Sequence, residues 1–175
     1  MITFRAESNS DRILALLLVL CGIFFRIVPH PDNFTPTMSI ALFAGMMLPP
    51  SLAFTVPLLV MMASDLVIGL HPLYWLVWAS FLLVAMIGLW VRKNPVMGRT
   101  LIGILGGSVL FFILSNLGVF LFENMYPRNW AGFVECFTMA LPFFRNSLAG
   151  DLFYTVCLFS LFMASQWMRQ PKKIS

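Results

Sequence analysis

An all-α polytopic membrane protein of six transmembrane helices is the fold class the sequence predicts, and three observations predict it. Of 175 residues, 60% are hydrophobic and 10% charged, against about 45–50% and about 25% in an ordinary soluble domain. The apolar residues fall in long runs, close to the roughly 20 needed to cross a bilayer. The basic residues then sort to one side of the resulting topology, the pattern of cytoplasmic loops. A soluble core cannot absorb this surplus, which includes 18 Phe and 5 Trp at a mean hydropathy of +0.90. Residues 1–175 therefore read as a single transmembrane domain.

The first run, Ile13 to Val28, follows Arg5 and Arg12 like a signal sequence, but no small-residue cleavage site comes after it. It reads as an uncleaved helix. The second, Thr37 to Leu48, is short and stops at Pro49-Pro50, because proline lacks a backbone donor and disfavours helix in the residue before it. Ser51 to Leu70, Leu73 to Val91, Thr100 to Phe122 and Leu148 to Trp167 complete the six. The long connection from 123 to 147 holds a stretch, Trp130 to Leu141, whose apolar face is interrupted by Glu135; it suits a short interfacial helix, with Pro142 ending it. Six crossings put Arg5, Arg12, Arg92, Lys93, Arg99, Arg169, Lys172 and Lys173 on one side, and Arg26, Arg128 and Arg145 on the other. Eight against three places both termini in the cytoplasm.

Several chemistries are excluded at this level. The net charge of +4 is not gathered into a basic stripe, so nucleic acid is not an expected partner. Cys21, Cys136 and Cys157 are odd in number and widely spaced, which suits neither a disulfide framework nor zinc. His30 and His71 each precede a proline at a helix end, without further ligands at metal spacing. No metal and no cofactor is expected. His30 with Asp32, or His71 with Asp65, forms an acid and base pair on paper, but no activated nucleophile accompanies either, so an enzyme is not expected. There is no phosphate-binding loop, so the chain cannot drive transport with ATP alone.

Ionisable groups inside a membrane are costly and mark function, and on this topology they fall in the outer half. Arg26 closes the first helix. His30, Asp32 and Asn33 follow in the Pro29-His30-Pro31-Asp32-Asn33-Phe34-Thr35-Pro36 loop. Ser64 and Asp65 lie near the outer end of the third helix, which His71 caps. Asn116 and Glu123 occupy the outer part of the fifth, and Arg145, Asn146 and Asp151 the start of the sixth. Asp65 needs a cation or a wet cavity, and Arg26 and Arg145 are the outer-side candidates. Asp151 alone reads as a helix N-terminal charge answering the macrodipole. Together Arg26, His30, Asn33, Asp65, His71, Asn116, Arg145, Asn146 and Asp151 make the candidate substrate-binding set of an outward pocket. Phe34, Tyr74, Trp75, Trp78, Tyr126, Trp130, Phe143, Phe144 and Tyr154 accompany them as belt aromatics or ring-stacking walls. Ala41-xxx-Gly45 and Gly103-xxx-Gly107 are small-residue spacings that let helices approach closely, within the chain or toward a partner.

This layout resembles the substrate-binding S components of energy-coupling-factor vitamin transporters. The resemblance is carried by Asn33-Phe34-Thr35-Pro36, Ala41-Leu42-Phe43-Ala44-Gly45 and Ser64-Asp65-Leu66-Val67-Ile68-Gly69. The proline-histidine loop and Phe143-Phe144-Arg145-Asn146-Ser147-Leu148-Ala149-Gly150-Asp151 are similar to a group of uncharacterised bacterial membrane proteins. The first resemblance implies a multi-pass protein of the bacterial inner membrane that captures a small, partly aromatic micronutrient. Its partners would be lipid, the ligand, and a transmembrane coupling subunit with ATPases. Many S components carry Ala-xxx-Ala on the first helix for docking to that subunit, whereas Ala15 here precedes Val19. The alternative expectation is an accessory structural subunit of a larger membrane complex. On the first expectation Arg26 and Arg145 pair a carboxylate or phosphate, while Asp65 and Asp151 balance them or bind an amine.

Overall fold

The structure, a computed structural model, describes residues 7–168. Arg5, Arg169, Lys172 and Lys173, four of the residues weighed for orientation, lie outside the described residues. The described chain is all-helical, in seven helices: α1 (Asn9–Ile27), α2 (Thr37–Met47), α3 (Pro50–Ile68), α4 (Tyr74–Arg92), α5 (Met97–Phe122), α6 (Trp130–Met139) and α7 (Leu141–Met168). Four of them, α3, α4, α5 and α7, are long and apolar enough to cross a membrane. α1 is as long as α3 but carries Asp11, Arg12 and Arg26.

Local chemistry accounts for the boundaries. α1 begins at Asn9, a turn earlier than its apolar run, because Ser8 and Asp11 form a reciprocal capping box: the Asp11 amide donates to Ser8 Oγ at 3.1 Å and the Ser8 amide to Asp11 Oδ2 at 3.0 Å. Asn129 caps α6 by accepting from the Gly132 amide at 2.9 Å. The largest departure from expectation is α7, which starts at Leu141 rather than Leu148. Pro142 does not merely end α6; it occupies the first turn of α7, where its missing amide leaves no hydrogen bond unmade.

The short α2 is the hub of the bundle. Every residue from Thr37 to Met46 is buried, and α2 packs against α1, α3, α4, α5 and α7. At 11 residues it is about 16 Å long at 1.5 Å per residue, about half the hydrocarbon thickness, so lipid is replaced around it by protein. Its closest neighbour is α4. A Cβ at Gly45 would run into the Ala85 carbonyl, and one at Gly88 into that of Leu42. The two backbones meet where both side chains are missing, so the small-residue spacing serves packing inside the chain. Gly103 and Gly107 of α5 likewise face Val91, Met38 and Val84.

The bundle has two chemically different ends. At one end Arg92 Nη1 donates to the Leu48 carbonyl at 2.7 Å, Ser51 Oγ donates to Glu7, and Arg99 stacks over Trp90 at 3.9 Å. At the other end lie the C-terminal ends of α1, α3 and α5, the N-terminal ends of α2, α4 and α7, and the polar residues singled out above.

Candidate functional site

The second end is organised around Arg26. In the last turn of α1 its side chain, 17% exposed, reaches α3: Nη2 donates to Asp65 Oδ1 at 2.6 Å and Nε to Ser64 Oγ at 2.7 Å. Asp65 Oδ2 accepts from the Trp78 indole of α4 at 2.8 Å. The carboxylate is 1% exposed, and one cation and one neutral donor satisfy it. Of the two cations considered for Asp65, Arg26 is the one that meets it. α3 ends at Ile68, so Asp65 sits about 4.5 Å below the helix end, held by the Arg26 and Trp78 side chains. The side-chain bonds that Asp65 makes run to Arg26 and Trp78, not to His71.

Beside this pair a cavity of about 340 Å³ opens, the volume of about eleven liquid waters. Its polar lining is Arg26, His30, Asn33, Thr35, His71, Ser147 and Asp151; its apolar lining is Met38, Ile68, Val77, Phe81 and Phe111. Phe81 and Phe111 stack on each other with centroids 5.2 Å apart. Asn33 stands at the mouth with φ of 59°, a left-handed conformation that asparagine tolerates better than other residues with a Cβ. The turn is closed by the Phe34 amide donating to the Pro31 carbonyl at 3.0 Å, and it rests on α7 where Gly150 admits the Phe34 ring.

Asp151 forms the floor. It is 1% exposed and lies in the third turn of α7, so its place in the helix is not the N-terminal one expected for it. Ser108 Oγ of α5 donates to Asp151 Oδ2 at 2.7 Å. Ser39 Oγ of α2 donates to the Asp151 carbonyl at 2.9 Å, and Thr155 Oγ1 donates to Ser39 Oγ at 3.0 Å. Two neighbouring helices, α5 and α2, thus hold this residue by hydroxyls, and among the described residues no ion pair reaches it.

The structure redistributes the remaining candidates. Asn116 lines a smaller adjoining cavity of about 230 Å³ with Phe112, Ser115, Phe143 and Phe144, which shares Asn33, Phe111 and Ser147 with the first. Its Nδ2 already donates to the Phe112 carbonyl at 2.8 Å. Arg145 is exposed and Asn146 half-buried, and neither lines these two cavities. The cause is the early start of α7. Ser147 and Asp151, four apart, share the face turned to the cavity, and at about 100° per residue Arg145 points to the far side of the helix.

Sequence reasoning missed Thr35, Ser147, Ser108, Ser39 and Thr155. The first two carry a signal in principle, since Thr35 lies in the polar loop and Ser147 is four residues before Asp151. Ser108 is a lone hydroxyl in an apolar stretch of its helix, and only the packing of α5 on α7 brings it to the carboxylate. Among the described residues no three of His, Cys, Asp and Glu gather as a metal set.

A family model described as a family of unknown function, DUF6580, matches residues 6–173. The chain belongs to this family. The match takes in every helix and both cavities, so the site described above is a feature of a DUF6580 protein. No curated protein and no solved structure matches the chain.

Proposed function

We propose that this DUF6580 protein is a membrane substrate-capture subunit that takes up a small, partly aromatic, vitamin-like molecule at the outer face of a bacterial inner membrane and depends on a separate ATP-driven module. One observation carries the reading: Arg26, His30, Asn33, His71, Ser147 and Asp151, contributed by α1, α7 and two loops, converge on a single cavity whose other wall is aromatic and aliphatic. A mostly apolar recess with a few convergent polar groups is the usual form of a small-molecule site. In this reading the chain crosses the membrane six times, at α1, α3, α4, α5 and α7 and where the short α2 with its flanking loops completes the second crossing, α6 lies at the outer interface, and both termini are cytoplasmic. The basic residues Arg92, Lys93 and Arg99 at the opposite end support that orientation.

Binding of a radiolabelled panel of water-soluble vitamins to the full chain in lipid nanodiscs tests the capture reading; no binding across the panel overturns it. Orientation is tested in intact cells. A cysteine replacing His30 is expected to react with a membrane-impermeant thiol reagent added outside, and one replacing Lys93 is not.

A second reading has one observation in its favour. Phe25 and Tyr154 touch, but farther along α1 and α7 a groove of about 660 Å³ separates the two helices, lined by Leu14, Leu17, Phe43, Leu158 and Phe162 among others. A helix of another subunit fits such a groove, which makes the chain an accessory subunit of a larger membrane assembly. Gentle purification discriminates: a structural subunit travels with stoichiometric partners and binds no small molecule.

A further inference from the structure

Resting on the capture reading, we infer that the molecule taken up carries a protonated nitrogen and that Asp151 receives it. The inference starts from the charges that line the cavity. Arg26 brings one positive charge, and Asp65 neutralises it at 2.6 Å. Asp151 brings a carboxyl group, and among the described residues no cation pairs with it: its side chain accepts a hydrogen bond from Ser108 alone. Arg145, the other arginine at this end of α7, faces away. A carboxyl group 1% exposed and without a cation is neutralised either by a proton or by a cation that reaches it, and a ligand ammonium is the partner that holds it ionised. Asp151 lines a cavity whose mouth is formed by the exposed residues His30, Asn33 and His71, so a cation has a route to it.

The opposite polarity fits poorly. An anionic group in a cavity this small sits close to Asp151, and the only arginine in the lining is already engaged on α3 through Nε and Nη2. The apolar wall adds to the preference. Phe81 and Phe111 line the same space, and aromatic rings attract cations. The Ser108 hydroxyl fixes the carboxylate and Ser39 holds the backbone carbonyl of the same residue, so the amine meets a positioned acceptor. A planar ring against the Phe81–Phe111 wall with an ammonium on Asp151 is the arrangement these residues favour. It replaces the arginine clamp for a carboxylate or phosphate that the sequence suggested.

The test uses matched probes on the full chain in nanodiscs: aminomethylpyridines and aminomethylpyrimidines, each with its carbinol and its carboxylate counterpart, read by ligand-observed NMR. The amines are expected to bind at least tenfold more tightly than their carbinols, with the carboxylates weakest. Asp151→Asn is expected to erase that preference, and Ser108→Ala to reduce it, with melting curves confirming that each variant is folded. If carbinols or carboxylates bind as well as amines, or if folded Asp151→Asn keeps the amine preference, the inference is overturned while the capture reading stands. Absence of binding by every probe, together with absence of vitamin binding, overturns both. Should Asp151→Asn not fold, the charge preference of the native chain and of Ser108→Ala decides.

Discussion

Asp65 and Asp151 are both carboxylates 1% exposed at the same end of the bundle, and the protein treats them differently. Asp65 is matched by the guanidinium of Arg26 at 2.6 Å and the indole of Trp78 at 2.8 Å, which ties α1, α3 and α4 together. Asp151 is matched by a single serine hydroxyl and faces a cavity. The first arrangement closes a corner of the structure; the second leaves an interaction to be completed. A carboxylate satisfied from within is a structural joint, whereas one left without a cation at a cavity floor is a candidate binding group.

The largest effect expected from breaking this contrast lies at the joint. Arg26→Leu removes the cation and leaves Asp65 buried and uncompensated, which costs about 3–5 kcal/mol. Reversible unfolding in mild detergent is expected to show the loss, and restoration by Arg26→Leu combined with Asp65→Leu would establish that the stranded charge is the cause. A close second is the α2–α4 crossing: Gly45→Ala drives a methyl into the Ala85 carbonyl, and overpacking of this kind costs about 1–3 kcal/mol or more. Because the collision is with backbone rather than with a flexible side chain, the upper part of that range is expected. Trp78→Phe comes next. It keeps the ring and removes the indole donor to Asp65, for about 1–3 kcal/mol, and a double-mutant cycle with Arg26→Leu reads the coupling between the two donors.

Much of this organisation was legible in the sequence, and the reasons for the rest are specific. The apolar runs marked the long helices to within a few residues, the start of α7 apart, because hydrophobic length is a local property. Pro49-Pro50 marked the end of α2 for the same reason. Pro142 was ambiguous: proline is equally at home just after a helix and in the first turn of one, and only the packing of residues 141–147 on α5 and α6 decides between them. That one ambiguity moved Arg145 and Asn146 out of the site and Asp151 from a helix end to the floor of a cavity. Asp65 announced that it needed a partner, but choosing Arg26 over Arg145 required knowing that α1 and α3 lie side by side. Ser108 was beyond reach, since a serine in an apolar helix has no sequence feature that separates a hydroxyl bonded to its own backbone from one that also reaches a neighbouring helix.

The smallest stability effect, and the sharpest contrast with the joint, is expected at the cavity floor. Asp151→Asn replaces the charged group with an amide of nearly the same shape. Its oxygen still accepts from Ser108 Oγ, and the Ser39 bond is to the backbone carbonyl and survives any side chain. No cation is stranded, because none among the described residues is paired with Asp151. An amide at this buried position needs no counter-charge, so the unfolding free energy is expected to change by less than about 1 kcal/mol. Asp65→Asn, measured alongside, abandons a guanidinium that is only 17% exposed and is expected to cost at least about 2 kcal/mol more. Equal losses in the two variants would mean that Asp151 is as much a structural joint as Asp65, and the division of labour between the two carboxylates would not hold.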